Sequence, residues 1–363
     1  MRRGSLVVGL AALAAALLVG CGGTQTKSGG PSSGGAAAVS LNGAGASFPY
    51  PLYSRWFSEY NKVAPGVKIS YQSIGSGGGI QAMQNRTVDF GASDAPFSDD
   101  EAKAMPAPVL HFPTVAGAVA VIYNLPGLKQ ALRLDGTTLA GIYLGEIKTW
   151  NDAKLAALNP GVTLPATPVT VAHRSDGSGT SYLFTSYLAA VSPAWKQEVG
   201  AGKSVKWPAG LGGKGSEGVA GIVKQGPGAI GYVELAYAKQ NGLASAELRN
   251  AAGEFVAPTT GGATAAAGGA AEKMKQDMRV SIINSSAAGA YPISGFTYLL
   301  LYQDQSDRTK GEALAQFLAW AIGDGQWQAE PLGYAPLPSA VAKLDQALLA
   351  SLTAKGAPLG ASK

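Results

Sequence analysis

Apolar and polar positions along this chain follow two periods, and the period switches repeatedly from one segment to the next. Between Pro49 and Asn61, Tyr53, Trp56, Phe57 and Tyr60 fall at i, i+3, i+4 and i+7. That spacing predicts a helix with one face on a core, and proline suits its first turn. Val67 to Ile74 alternates in steps of two, as a half-buried strand does, and Gly75-Ser76-Gly77-Gly78-Gly79 then turns the chain into a helix beginning near Ile80. Val88 to Ala92 reads as the next strand. Ser98, with Glu101 three residues later, predicts a capping box for the helix after it.

Val115 to Tyr123 is continuously apolar, which suits either a central strand or a crossing between lobes, and Leu299 to Tyr302 is its late counterpart. Thr138 to Leu144, Ser181 to Val191, Gly218 to Lys224 and Ala229 to Glu234 continue the mixture of helices and strands. Leu314, Phe317, Leu318 and Ala321 hold helical spacing ahead of a proline-punctuated tail. Thr259 to Ala271, nearly all Gly, Ala and Thr, is expected to be a low-complexity surface loop. The alternation predicts an α/β architecture with ligands at the carboxyl ends of strands. The body of the chain is longer than one hydrophobic core usually supports, so two lobes are expected.

Composition adds a compartment. Arg2 and Arg3 precede an apolar run from Leu6 to Val19 that is short for a bilayer span and reads as a secretory signal. It ends in Leu18-Val19-Gly20-Cys21, and Cys21 is the chain's single cysteine. This resembles a bacterial lipobox, in which the signal is cut before Cys21 and the thiol is acylated. The alternative is a stray cysteine in a weak transmembrane helix. Gly22 to Ala38 is small and polar with one charge, Lys27, and reads as a flexible tether. The expected location is therefore extracytoplasmic and lipid-anchored. The net charge of +5 is spread among both signs with no basic block, which argues against nucleic acid. Neither His111 nor His173 has metal-site spacing, and no metal or cofactor is expected.

The chemistry concentrates in two distant segments, Asp89-Phe90-Gly91-Ala92-Ser93-Asp94-Ala95-Pro96 and Arg174-Ser175-Asp176-Gly177-Ser178-Gly179-Thr180-Ser181. Each sets a carboxylate beside small hydroxyl and glycine residues. A Gly/Ser loop entering a helix offers unpaired N–H groups and the positive end of the helix dipole, which suits a small anion. Blander readings stand beside this one. Gly75 to Gly79 could be an ordinary turn, Asp94 could cap the turn before Pro96, Arg174 with Asp176 could be a structural ion pair, and Phe48 could be core. A hydrolase reading of Ser178 fails at the nucleophile elbow, because Asp176 stands where glycine is needed.

Six ordered segments closely resemble the phosphate-binding protein family of Pst-type ABC importers. They are Gly43-Ala44-Gly45-Ala46-Ser47-Phe48-Pro49, Ile74 to Gly79, Asp89 to Pro96, Tyr143 to Asp152, Arg174 to Ser181 and Gly226-Pro227-Gly228-Ala229-Ile230-Gly231-Tyr232. The resemblance implies a type II periplasmic-binding-protein fold, two α/β lobes joined by two crossing segments, closing on one dehydrated inorganic phosphate without chemistry on it. It divides the chain into a signal at 1–20, a tether at 21–39, one lobe from 40–120 with 296–363, and a second lobe at 121–295. Partners would be membrane permease subunits with their cytoplasmic ATPase, and the protein would act as a monomer.

By motif, the resemblance implies that Ser47, Phe48, Ser76, Asp94, Arg174, Ser178, Gly179 and Thr180 line the site. Ser47 and Ser76 would donate hydroxyl hydrogens, and Phe48, Gly179 and Thr180 their backbone N–H. Arg174 would donate a forked pair, held by Asp176. Asp94 would accept a proton that phosphate carries at neutral pH and sulfate lacks, so sulfate would leave a buried acceptor unpaired beside a like charge. Two positions depart from the family pattern. Ser47 stands where threonine is usual, and His173 precedes Arg174 where a second arginine often sits; His173 is expected to be solvated or packed.

Overall fold

The computed structural model describes residues 38–359. The secretory signal, Cys21 and the tether as far as residue 37 lie outside the described residues. The chain begins β1 (Val39–Gly45), α1 (Tyr50–Val63), β2 (Val67–Ser73), α2 (Ser76–Gln84), β3 (Phe90–Ser93), α3 (Asp99–Lys103) and β4 (Val109–Tyr123). The stripe read from α1 is buried as expected, with Tyr53, Trp56 and Tyr60 in the core. The Tyr53 and Trp56 rings stack 5.6 Å apart, and the indole N–H of Trp56 donates to the Gly325 carbonyl at 2.8 Å. Ser98 and Glu101 form the capping box of α3, each side chain accepting from the other's backbone N–H.

β1 pairs in parallel with both β2 and β3, so the loops at its carboxyl end face one edge of the sheet. β4 settles the two alternatives for the apolar run by being both. Its first part, Val109 to Ala118, pairs antiparallel with the strand Ser294–Tyr302, and its second part, Val119 to Tyr123, pairs antiparallel with the strand Ala229–Glu234. The sheet thus runs β2, β1, β3, Ser294–Tyr302, β4, Ala229–Glu234, Thr170–Arg174 and Leu211–Gly213, with Ala244–Ser245 against the end of β4. A strand buried on both faces needs a continuous apolar sequence, which is why no alternation was visible there. One half of the sheet is built by residues on either side of the chain's middle third, and the other half by the middle third itself. This is the two-lobed arrangement of a periplasmic-binding-protein fold.

Two expectations need correction. Thr259 to Ala271 is no surface loop: it holds the helices Thr260–Ala267 and Ala270–Met274. Thr259 caps the first by accepting from Gly262 N–H at 3.0 Å, and Gly262, Ala263, Ala266 and Ala267 are buried. Alanine is the best helix former, and residues this small let the helix lie close to the central strands, so low complexity here reflects tight packing. The helix after Gly75 begins at Ser76, not near Ile80, so the glycines form its first turn. Gly75 sits at φ 83°, where a Cβ would also lie 2.2 Å from Asp176 Oδ2. Among the described residues, no helix is long and apolar enough to cross a membrane.

Candidate functional site

The segments singled out in the sequence meet at one place, where strands end and helices begin. Ser47 and Phe48 lie between β1 and α1, Ser76 opens α2, and Asp94 follows β3 directly. From the other half of the sheet, Arg174 ends the strand Thr170–Arg174, and Ser178 caps the helix Gly179–Val191 by accepting from Ser181 N–H at 3.0 Å. All eight residues are buried. Two of these turns also touch through their backbone, Gly77 N–H donating to Gly177 C=O at 2.8 Å.

Hydrogen-bond counting assigns roles to individual atoms. Ser76 Oγ accepts from the N–H of Asp94 at 3.2 Å and from the N–H of Gly179 at 3.0 Å. Both lone pairs are thereby used, so its own O–H can act only as a donor. The contact with Gly179 depends on glycine: a Cβ there would lie 2.5 Å from Ser76 Oγ and 2.6 Å from Asp94 Oδ2. Arg174 donates from Nε to Asp176 Oδ1 at 2.8 Å and from Nη2 to Asp176 Oδ2 at 2.5 Å. Asp176 Oδ1 also accepts from Gly215 N–H at 3.0 Å. One edge of the guanidinium is therefore committed to Asp176, which leaves the second Nη2 proton for a further acceptor, while Nη1 donates only long bonds to two hydroxyls. Nη1 lies 3.5 Å from Thr180 Oγ1 and 3.4 Å from Ser216 Oγ. The N–H groups of Phe48 and Thr180, at the starts of α1 and of the helix Gly179–Val191, make no hydrogen bond to another described residue. Helix starts leave such donors pointing outward.

Charge follows the same layout. Burial disfavours the charge on Arg174, but the hydrogen bonds and charge of Asp176 outweigh it and hold the guanidinium above its ordinary range. Burial likewise works to raise Asp176, and Arg174 reverses that, leaving Asp176 below the usual carboxylate range. Asp94 is different. Burial pushes it up to about 7, opposed by hydrogen bonds from Thr297 and Ser76 and by the charge of Arg174. The pair Arg174–Asp176 is close to neutral as a unit, so the cradle presents directional donors and one isolated, reluctant carboxylate. Such a site suits an oxyanion that carries a proton of its own.

A family model, the PBP superfamily domain, matches residues 30–324. The phosphate-binding protein PstS of Xylella fastidiosa (strain Temecula1) is 46% identical over 322 residues, covering 88% of this chain and 88% of that protein. The chain belongs to the PstS family of phosphate-binding proteins. The PstS of Haemophilus influenzae is 48% identical over 309 residues, 84% of this chain and 91% of its own. Among solved structures, a high-affinity periplasmic phosphate-binding protein bound with phosphate superposes with a TM-score of 0.68 at 25% identity, covering 85% of this chain and 93% of that one. The PstS family supplies substrate-binding proteins of a transporter and not enzymes.

The eight residues expected to line the site, and Asp176 behind Arg174, lie in this cluster. Phe48 is also core, its ring buried, and Tyr334 OH donates to its carbonyl at 2.7 Å. His173 is packed, stacking on Trp207 with ring centres 4.8 Å apart. The sequence reading missed Ser216, Tyr237 and Thr297. Ser216 Oγ lies 3.0 Å from Ser47 Oγ, its N–H donates to that same Ser47 oxygen at 3.2 Å, and it opens the helix Gly215–Gln225. Its Gly-Ser context is the signal used elsewhere and could have found it. Tyr237 OH donates to the Ser47 carbonyl at 2.7 Å, and nothing in its own helix marks it. Thr297 lies in the strand Ser294–Tyr302 beside other hydroxyl residues, and nothing in the local sequence singles it out.

Proposed function

We propose that this chain is an extracytoplasmic lipoprotein that captures inorganic phosphate between two closing lobes and delivers it, chemically unchanged, to an ABC permease driven by a cytoplasmic ATPase. One lobe comprises 40–120 with 296–363 and the other 121–295. β4, changing partners between Ala118 and Val119, and the strand Ser294–Tyr302 are the crossing segments about which they close. Phosphate is bridged by Ser47, Phe48, Ser76 and Asp94 from the first lobe and by Arg174, Ser178, Gly179 and Thr180 from the second. The permease reads the closed form. Acylation of Cys21 holds the body at the membrane surface, and the protein acts as a monomer.

The observation that carries this reading is Asp94, a buried carboxylate with its Oδ2 against Gly179 in a cradle otherwise made of donors. A carboxylate so placed repels an anion unless the anion brings a proton, and at neutral pH phosphate does so while sulfate does not. Calorimetric titration of the full chain at pH 8.5, above the range in which Asp94 gains a proton, after unfolding and refolding to strip carried-over anion, should give tight one-to-one phosphate binding, no sulfate signal and no release of phosphate from phosphate esters. Binding of neither anion, or ester hydrolysis, would overturn the reading.

A further inference from the structure

Asp94 has two carboxylate oxygens, and a carboxylate that reads one proton on its ligand must present one acceptor and keep the other occupied. Oδ2 faces Gly179 in the cradle. Oδ1 points away from it and accepts from the Thr297 hydroxyl at 2.8 Å. Thr297 comes from the strand Ser294–Tyr302, is fully buried, and stands at a register shift in the pairing of that strand with β4, between Thr297 and Tyr298. Such irregularities re-aim a side chain. Its backbone is tied down from the other side, where Thr114 Oγ1 donates to the Thr297 carbonyl at 3.2 Å and lies 2.8 Å from Tyr53 OH.

We propose that Thr297 is a specificity-determining positioning residue, which fixes Oδ2 of Asp94 as the single acceptor offered to the anion and supports its ionised form without touching the ligand. This rests on the reading of the site as a phosphate cradle. The consequence follows from protonation chemistry. With Oδ1 unpaired in a dry environment, the charge on Asp94 loses its fixed donor, and the carboxyl shifts toward its protonated form. A protonated Asp94 donates where it formerly accepted. It then suits sulfate, which has no proton to give, and no longer suits the protonated oxygen of phosphate.

The neighbourhood decides which substitution tests this. A cavity of about 60 Å³ is lined by Asp94, Pro96, Tyr182, Gly295, Phe296 and Tyr298, among others. A water there could replace a deleted hydroxyl if the side chain were merely shortened. Thr297→Val removes the donor and keeps the volume, so it is the informative variant. Thr297→Ser keeps the donor.

The experiment is competitive titration of the full chain with inorganic phosphate and sulfate, for the parent, Thr297→Val and Thr297→Ser. The expected result is a fall of at least tenfold in the phosphate-to-sulfate affinity ratio for Thr297→Val, with sulfate binding gained in absolute terms, and a parent-like ratio for Thr297→Ser. If Thr297→Val does not fold, Thr297→Cys, similar in size and a much weaker donor, should shift the ratio in the same direction. A merely structural role weakens both anions together and leaves the ratio unchanged, and that outcome overturns the role of Thr297 while leaving the phosphate reading intact. A parent that binds neither anion overturns the phosphate reading itself, and this inference with it.

Discussion

Asp94 and His111 are both buried ionisable groups, and they answer to pH in opposite senses for the same reason. Burial penalises the charged form, raising Asp94 to about 7 and lowering His111 to about 3. His111 accepts from Phe97 N–H through Nε2 at 3.3 Å and packs edge-on against the Phe97 ring, an environment that suits the neutral imidazole. An unfolded chain takes up this proton below about pH 6.5 and the folded chain does not. The stability His111 allows is therefore complete above that pH and is lost progressively as pH falls toward 3. At pH 5 the loss is about 2 kcal/mol. Urea midpoints of the parent and of His111→Gln, measured from pH 7 to 4, should converge as the pH falls; parallel curves would contradict the assignment. Asp94 makes its own prediction through binding. Sulfate affinity should rise as pH falls through the range in which Asp94 gains a proton, and Asp94→Asn should make sulfate binding pH-independent over that range while weakening phosphate by about 1–3 kcal/mol. Titrations at pH 8 and pH 5.5 check both, and an Asn variant that rejects sulfate as fully as the parent would remove Asp94 from the selectivity mechanism.

The elements matter because each presents its first turn to the cradle, and Gly179 shows how little room that leaves. A methyl group at Gly179 would drive into Ser76 Oγ and Asp94 Oδ2 together, so Gly179→Ala should reduce phosphate affinity at least tenfold while shifting thermal stability little in the absence of phosphate. Equal affinities for the variant and the parent would show that the turns do not approach as closely as described. These turns were legible because helices and strands announce themselves by spacing, and the Gly/Ser loops mark where one gives way to the other. α1 followed from Tyr53, Trp56 and Tyr60, and the capping of α3 from Ser98 and Glu101. The helices within Thr259 to Ala271 were not legible, since Gly, Ala and Thr without large apolar side chains carry no periodic signal even where the packing is tight. Thr297 was invisible for a related reason. Its importance lies in a contact with Asp94, 203 positions away, which no local pattern encodes. The resemblance supplied the residues proposed to meet the ligand and Asp176 behind Arg174, while Ser216, Tyr237 and Thr297 emerged only from the packing.

At the scale of the whole molecule, the two halves of the sheet meet through Gly77–Gly177, Ser76–Gly179, Ser47–Ser216 and an ion pair between Glu101 Oε2 and Lys203 Nζ at 2.6 Å. The ion pair lies near the surface, where such contacts contribute about 0–1 kcal/mol. Lys203→Met should accordingly weaken phosphate binding by no more than about fivefold, with the loss shrinking in high salt, and a larger loss by titration would make the pair a principal latch. The buried contacts carry closure, and a ligand bridging them stabilises the closed form by mass action, about 2.7 kcal/mol at a hundredfold excess over Kd. The most direct test is solution X-ray scattering of the anion-stripped chain titrated with phosphate and with sulfate at pH 8.5, where Asp94 is ionised and phosphate still carries a proton. A decrease in radius of gyration that saturates at one phosphate per chain, with no change on adding sulfate, is the predicted result. Phosphate bound at one equivalent with unchanged scattering, or the same compaction with sulfate, would contradict closure on a single protonated anion.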